Sequence, residues 1–372
     1  MKIIWFSEIK WSYLRTRKQH ILANFNDSDE ILFIEPISFN LKNKFNISIE
    51  KNIKYITVPQ FQNSDINFLN YLINFFPIKS LIKIITKLFM NRLLKKEDFQ
   101  PDIIITSNVF WIDYLKNLKD QYQLNLIYDC NDNPLAFPNS SNKKTYFNRT
   151  LDCSDLVITP FKSYNDFIPK KYHNKIQIMS NGVDSNLINL KSKKISNFND
   201  NKSIVMYIGS IDTRVNFDLL EKTIINLNRF QFVFIGNVKR QIQNKFNNIK
   251  NHSNVKHLNS IDYTEIGSYL NYAKVCIIPF KRNNLSKFIL PNKIFEYSIL
   301  EKPFILTNFN HHLKDLHSDL LIANNEQEFS QLIDSQINNP YDTSKLKNFA
   351  LNFEWKKISH QYRKLILETI KK

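Results

Sequence analysis

Short apolar runs of strand length alternate with longer segments of helical period along most of the chain, and that alternation points to an α/β protein with parallel sheets. In the first half the candidate strands are Lys2–Phe6, Glu30–Ile34, Ile53–Val58, Asp102–Thr106, Leu124–Tyr128, Asp155–Thr159 and Lys175–Met179. In the second half they are Ser203–Ile208, Gln231–Ile235, Val255–His257, Lys274–Pro279 and Pro303–Thr307. Between the two sets, Ser185 to Lys202 is polar and lysine-rich without a strong period, which reads as an interdomain linker. The expected division is therefore 1–185, a linker at 186–202, a second domain at 203–352 and a C-terminal helix at 353–372. Two doubly wound sheets facing each other across a cleft would place ligands at the carboxyl ends of their strands.

Glycine is scarce: four occur in 372 residues, where average usage would give roughly two dozen. None precedes Gly182, so the first half holds no G-x-G-x-x-G fingerprint, P-loop or ordinary NAD site. Gly209 and Gly236 each end an apolar run, where a strand turns toward a helix. A formal charge of +17 calls for anionic partners, whether nucleotide phosphates, nucleic acid or an acidic membrane surface. The cysteines, Cys130, Cys153 and Cys276, have no metal-ligand spacing and argue against a disulfide framework, so a reducing cytosol fits. The N-terminal apolar stretch is too short for a signal peptide. The apolar region Phe68–Met90 is interrupted by Asn70, Asn74, Pro77, Lys79, Lys83 and Lys87, so no transmembrane segment is expected.

The segment richest in chemistry runs from Pro279 to Tyr297, out of the apolar strand Val275–Ile278, through a basic loop, and into a helix that Pro291 suits as a first-turn residue. Such a helix start offers free backbone N–H groups and a positive dipole end to phosphate. Lys293 and Glu296 lie three apart and share a helix face. A carboxylate there can accept both hydroxyls of a ribose while the lysine holds phosphates. Taken alone, a K-x-x-E pair is more often an ordinary surface pair.

The run Pro291-Asn292-Lys293-Ile294-Phe295-Glu296-Tyr297 and the strand after it resemble the donor-binding helix of GT-B glycosyltransferases, especially the family 4-like (group 1) bacterial enzymes. Other landmarks follow in that family's order: Tyr207-Ile208-Gly209-Ser210-Ile211 with Arg214, Phe234-Ile235-Gly236-Asn237, Ser180-Asn181-Gly182-Val183-Asp184, and Cys153-Ser154-Asp155-Leu156-Val157. Arg15 to Leu22 and Ile31 to Pro36 are similar to its first helix and second strand. The resemblance covers nearly the whole chain. It implies a GT-B fold of two Rossmann-like domains, an N-terminal acceptor-binding one and a C-terminal nucleotide-sugar-binding one, with the last helix packing back on the first domain. It also implies that Glu296 binds the ribose, Arg214 the diphosphate, and Gly209, Pro291, Asn292 and Lys293 the phosphate region. Two positions depart from the pattern. Phe288 stands where relatives carry a glutamate that touches the donor sugar, and the glycine-rich loop after the first strand is replaced by Ser7 to Tyr13, so Ser12 and Arg15 would have to serve.

In the first half, Tyr128-Asp129-Cys130-Asn131-Asp132-Asn133-Pro134 follows a strand, so Asp129 and Asp132 are candidate catalytic carboxylates for an acceptor hydroxyl or the transferring sugar, or else an Asx turn before Pro134. His20 is a weaker catalytic candidate. Lys79, Lys83 and Lys87 repeat at i, i+4 and i+8 opposite Ile78, Leu81, Ile82, Ile85, Leu88 and Phe89. Such a helix either packs its apolar stripe on the sheet or lies on an anionic membrane surface, and the two readings coexist if the lysines face headgroups.

The leading function is a hexosyltransferase-type glycosyltransferase using a nucleotide sugar, with UDP-sugar favoured, and a carbohydrate or lipid-linked acceptor in cell-envelope or surface-polysaccharide synthesis. Retention of configuration, independence from metal and the lack of a separate cofactor follow from the resemblance, while the cysteines and the N-terminal stretch point to a cytoplasmic location and the Lys79, Lys83 and Lys87 helix to a peripheral place on the inner face of the membrane. The alternatives are a nucleotide-sugar epimerase of the same fold and a non-enzymatic basic nucleic-acid-binding protein, the latter favoured by charge alone.

Overall fold

The computed structural model describes residues 1–13, 15–38, 41–61, 75–136, 143–189 and 202–371. The chain divides into two units, Met1–Met179 with Ile358–Lys372, and Ser180–Lys357. Most of the expected linker, residues 190–201, lies outside the described residues.

Unit one is built on β1 (Lys2–Phe6), β2 (Glu30–Ile37), β3 (Ser48–Glu50), β4 (Ile53–Phe61), β5 (Ile103–Thr106), β6 (Asn125–Asp129), β7 (Leu156–Thr159) and β8 (Ile176–Ile178). Their order in the sheet is β3-β4-β2-β1-β5-β6-β7-β8, parallel throughout except for β3, which runs antiparallel beside β4. Central strands covered on both faces must be apolar on both faces. Accordingly Ile3, Ile4, Trp5 and Phe6 of β1 and Ile103, Ile104 and Ile105 of β5 are wholly buried. The C-terminal helix Trp355–Ile370 joins this unit from Ile358 onward. Tyr362 stacks on Trp5 with ring centres 6.0 Å apart, the Ser359 hydroxyl donates to the Ile21 carbonyl at 2.7 Å, and Arg363 grips Asp29 at 2.6 and 2.9 Å.

The helix Phe76–Lys96 does not follow the expectation that its apolar stripe packs on the sheet. Ile82 and Phe89 are half-buried and continue into the buried Met90, Leu93 and Leu94, while Ile78, Leu81, Ile85 and Leu88 stand exposed. Lys83 pairs with Asp113, and the Lys79 ammonium lies 5.2 Å from the centre of the Tyr146 ring. The helix therefore carries two apolar faces, and the sheet takes only one. Its depth is fixed by the Thr86 hydroxyl, which donates to the Pro59 carbonyl at 2.7 Å.

Unit two contains β9 (Ile204–Ile208), β10 (Gln231–Ile235), β11 (Val255–Leu258), β12 (Ala273–Ile278), β13 (Phe304–Thr307) and β14 (Leu321–Ala323). The order is β11-β10-β9-β12-β13-β14, and every pairing is parallel. Strand order reverses between β9 and β12, and the crevice outside the carboxyl ends at such a reversal is where doubly wound sheets bind ligands. The loops leaving β9 and β12 carry Gly209 to Arg214 and Pro279 to Pro291. No helix among the described residues is long and apolar enough to cross a membrane.

Candidate functional site

Gly209 and Gly236 close β9 and β10 with φ of +135° and +144°, a region that side chains with a Cβ avoid. A Cβ on Gly236 would lie 2.7 Å from the carbonyl carbon of Gly209, so the two strand ends touch backbone to backbone. A Cβ on Gly209 would lie 2.7 Å from Cε of Lys293, so the lysine stem lies directly over the bare glycine.

Lys293 reaches that place from the helix Asn292–Ile299. Ile294, Phe295, Tyr297 and Ile299 bury one side of the helix, and the Tyr297 hydroxyl accepts the Ile208 amide at 3.3 Å, which anchors the helix to the end of β9. Lys293 and Glu296 are left half-buried on the other side. Pro291 is the residue before the helix, with φ −69° and ψ 136°, rather than its first-turn residue as expected. Its ring still directs the chain, and the Asn292 and Lys293 amides begin the helix with no acceptor in a preceding turn.

A second cation completes the cluster. The Arg214 guanidinium carbon lies 5.4 Å from the centre of the Phe280 ring, and the Lys293 ammonium lies 5.9 Å from the same ring and 5.2 Å from that of Tyr207. Asp212 holds Arg214 by three side-chain contacts, Nε to Oδ1 at 2.9 Å, Nε to Oδ2 at 3.2 Å and Nη2 to Oδ2 at 2.5 Å, and also accepts the Arg214 amide at 2.9 Å. The Lys281 amide donates to the Arg214 carbonyl at 2.8 Å, and the Asn283 side chain donates to the Thr213 carbonyl at 3.2 Å, so the β9 and β12 loops are stitched together. Asn181, from the Ser180-Asn181-Gly182 motif, donates to the Leu290 carbonyl at 2.7 Å and steadies the chain just before Pro291.

Lys293 has no carboxylate within ion-pair distance among the described residues. Burial first and the Arg214 charge second push its ammonium down to about 8, against the weaker pull of Glu296 and Asp212. Burial raises the Glu296 carboxyl, with Lys293 opposing. Two cations beside one aromatic ring, one of them over a glycine at the end of β9 and at the start of a helix, suit a diphosphate. Asp212 was not singled out by sequence reasoning. Its spacing of two residues before Arg214, in an Asx turn, is the signal that could have found it.

The candidates in unit one are dispersed. Asp129, at the end of β6, is wholly buried, 3.5 Å from Arg17 Nε, and burial raises its carboxyl despite Arg17 and Lys18. Asp132 is exposed in the following turn, so the structure does not present the two aspartates as a pair. His20 is buried on the helix Arg17–Leu22. The side chains at the carboxyl edge of this sheet include Glu8, which pairs with Lys18 and accepts the Ser107 hydroxyl, and Arg17. Ser12 and Arg15, expected to stand in for a glycine-rich loop, are exposed, and the loop is fixed instead by buried Lys10, which contacts Glu35 at 3.1 Å and Thr57 at 2.6 Å.

Two doubly wound units, the second with a paired-cation site at its strand-order reversal, define a GT-B fold. Residues 189–353 match the family model described as Glycosyl transferases group 1. Among curated proteins the chain is 23% identical over 199 residues to TuaH of Bacillus subtilis (strain 168), assigned by its name to teichuronic acid biosynthesis as a glycosyltransferase. That match covers 49% of this chain and 50% of TuaH, so it spans about half the length of the relative. Among solved structures, sucrose-phosphate synthase of Thermosynechococcus elongatus superposes with a TM-score of 0.77 at 11% identity, covering 99% of both chains. Anabaena Alr3699/HepE, solved in complex with UDP, superposes with a TM-score of 0.69 at 13% identity, covering 99% of this chain and all of that one.

Proposed function

We propose that the protein is a glycosyltransferase that moves a hexosyl unit from a UDP-sugar to a carbohydrate or lipid-linked acceptor, in envelope or surface-polysaccharide synthesis. The observation that carries this reading is Lys293 lying over Gly209 with Arg214 beside the same Phe280 ring, and with Glu296 one helical turn beyond Lys293. As the glycosidic bond breaks, the leaving nucleoside diphosphate gains charge. Cations and amides already fixed around it stabilise that charge without reorganising and without a metal ion. Glu296 accepts the ribose hydroxyls, and the configuration at the anomeric carbon is retained. The UDP complex of HepE supports the choice of nucleotide, and the likeness to TuaH supports the envelope role.

Calorimetry with UDP and a panel of UDP-sugars tests the reading. UDP should bind the parent, and Glu296→Ala should weaken it by about tenfold to a hundredfold, the range for a hydrogen bond to a charged group. Because Glu296 is half-buried and has no hydrogen-bond partner among the described residues, the variant should melt like the parent. An unchanged Kd would remove Glu296 from the site. Glycosyl transfer should also survive EDTA, and strict dependence on a divalent cation would remove the metal-free mechanism.

A further inference from the structure

The helix Phe76–Lys96 has an outward face that nothing in the glycosyl-transfer reading uses. With about 100° between successive residues, Ile78, Leu81, Ile84, Ile85 and Leu88 fall in one arc of about 120°. Arg92, Lys95 and Lys96 continue the same arc through the last two turns. The aliphatic members are open to solvent, Leu81 at 56%, Ile84 at 57% and Leu88 at 59% exposure. Arg92, Lys95 and Lys96 are exposed as well, and none forms an ion pair among the described residues. The helix contains no aspartate or glutamate. Its other lysines belong to a different face. Lys79, Lys83 and Lys87 line a cavity of about 250 Å³ with Phe110, Trp111 and Tyr146, and Lys83 is held there by Asp113.

We infer that this face docks on an anionic lipid bilayer, with the aliphatic turns entering the acyl boundary and Arg92, Lys95 and Lys96 resting on the headgroups. An exposed aliphatic patch on a soluble surface marks an interface, and its charge selects the partner. A second copy of the chain would bring another +17 and the same acid-free helix against it. An anionic bilayer offers both a hydrocarbon layer for the leucines and negative headgroups for the cations, as an interfacial amphipathic helix requires. The contact is thus made by the aliphatic arc and its cationic end, not by the Lys79, Lys83 and Lys87 face singled out from the sequence. It is independent of the glycosyl-transfer reading, though it would bring a lipid-linked acceptor within reach.

Cosedimentation with vesicles of phosphatidylglycerol and phosphatidylcholine tests this. The parent should bind, less as salt rises and less to phosphatidylcholine alone. Leu81→Asn with Leu88→Asn should lower partitioning by tenfold or more, roughly, through loss of apolar insertion. Arg92→Gln with Lys95→Gln and Lys96→Gln should lower it by about a hundredfold on anionic vesicles. Changing Lys79, Lys83 and Lys87 to glutamine should have the smaller effect. Each substituted side chain of the first two variants is exposed, so both should melt like the parent and bind UDP with the parent's affinity. Failure of the parent to bind vesicles, parental binding by both variants, or a parental dimer that the leucine variant dissociates would each overturn the inference. Vesicle binding without any UDP binding would leave it standing and bring down the glycosyl-transfer reading instead.

Discussion

Gly236→Ala is expected to destabilise unit two by roughly 2–4 kcal/mol, the sum of a forced left-handed backbone and a steric clash. In a unit of this size that lowers Tm by about 5–15 °C. The clash cannot be relieved by turning a side chain, because the atoms in the way are the carbonyl group of Gly209, whose own amide is bonded to Ile235 at 2.8 Å. Gly209→Ala offers the contrast. It also has a positive φ, but the new methyl meets the far end of Lys293, which can swing aside. It should therefore lose less stability and more UDP affinity, since moving Lys293 dismantles the phosphate site. Thermal melts and calorimetry on the two variants separate these effects. Unchanged melting of Gly236→Ala would mean that the two strand ends do not touch.

Much of this architecture was legible because parallel strands covered on both faces must be continuously apolar, and runs such as Ile3–Phe6 and Val275–Ile278 have few other homes. Strand β3, with Ile49 and Glu50 exposed, lacks that pattern, and β14 is apolar but only three residues long; both went unread. Glycine scarcity made Gly209 and Gly236 conspicuous, and both prove to sit at strand ends with positive φ. Single-residue roles were harder. Asp129 and Asp132 look alike in sequence, yet one is sealed against Arg17 and the other is open to water, a difference set by the turn between them. The helix Phe76–Lys96 misled because a hydrophobic pattern says that a face is apolar but not whether the protein covers it.

Arg214→Ala should lower turnover at saturating donor by about a hundredfold to a thousandfold, as removal of one fixed donor to a developing anion does. Lys293 adds a pH signature of its own. In the ligand-free protein its ammonium titrates at about 8 instead of 10.5. Between those values the folded chain binds fewer protons than the unfolded one, so stability rises with pH across that window, and the destabilisation Lys293 causes is fully present below about pH 8. A bound diphosphate favours the charged lysine and raises its pKa. Donor affinity should then be greatest below about pH 8 and fall by up to about tenfold per unit above it, opposite in direction to the stability. Lys293→Met removes both trends together: at neutral pH the variant should be more stable than the parent without ligand, bind UDP more weakly, and show an affinity flatter with pH from 7 to 9.5. A parental affinity that is itself flat over that range would separate Lys293 from the phosphates and leave Arg214 as the cation that meets the leaving group.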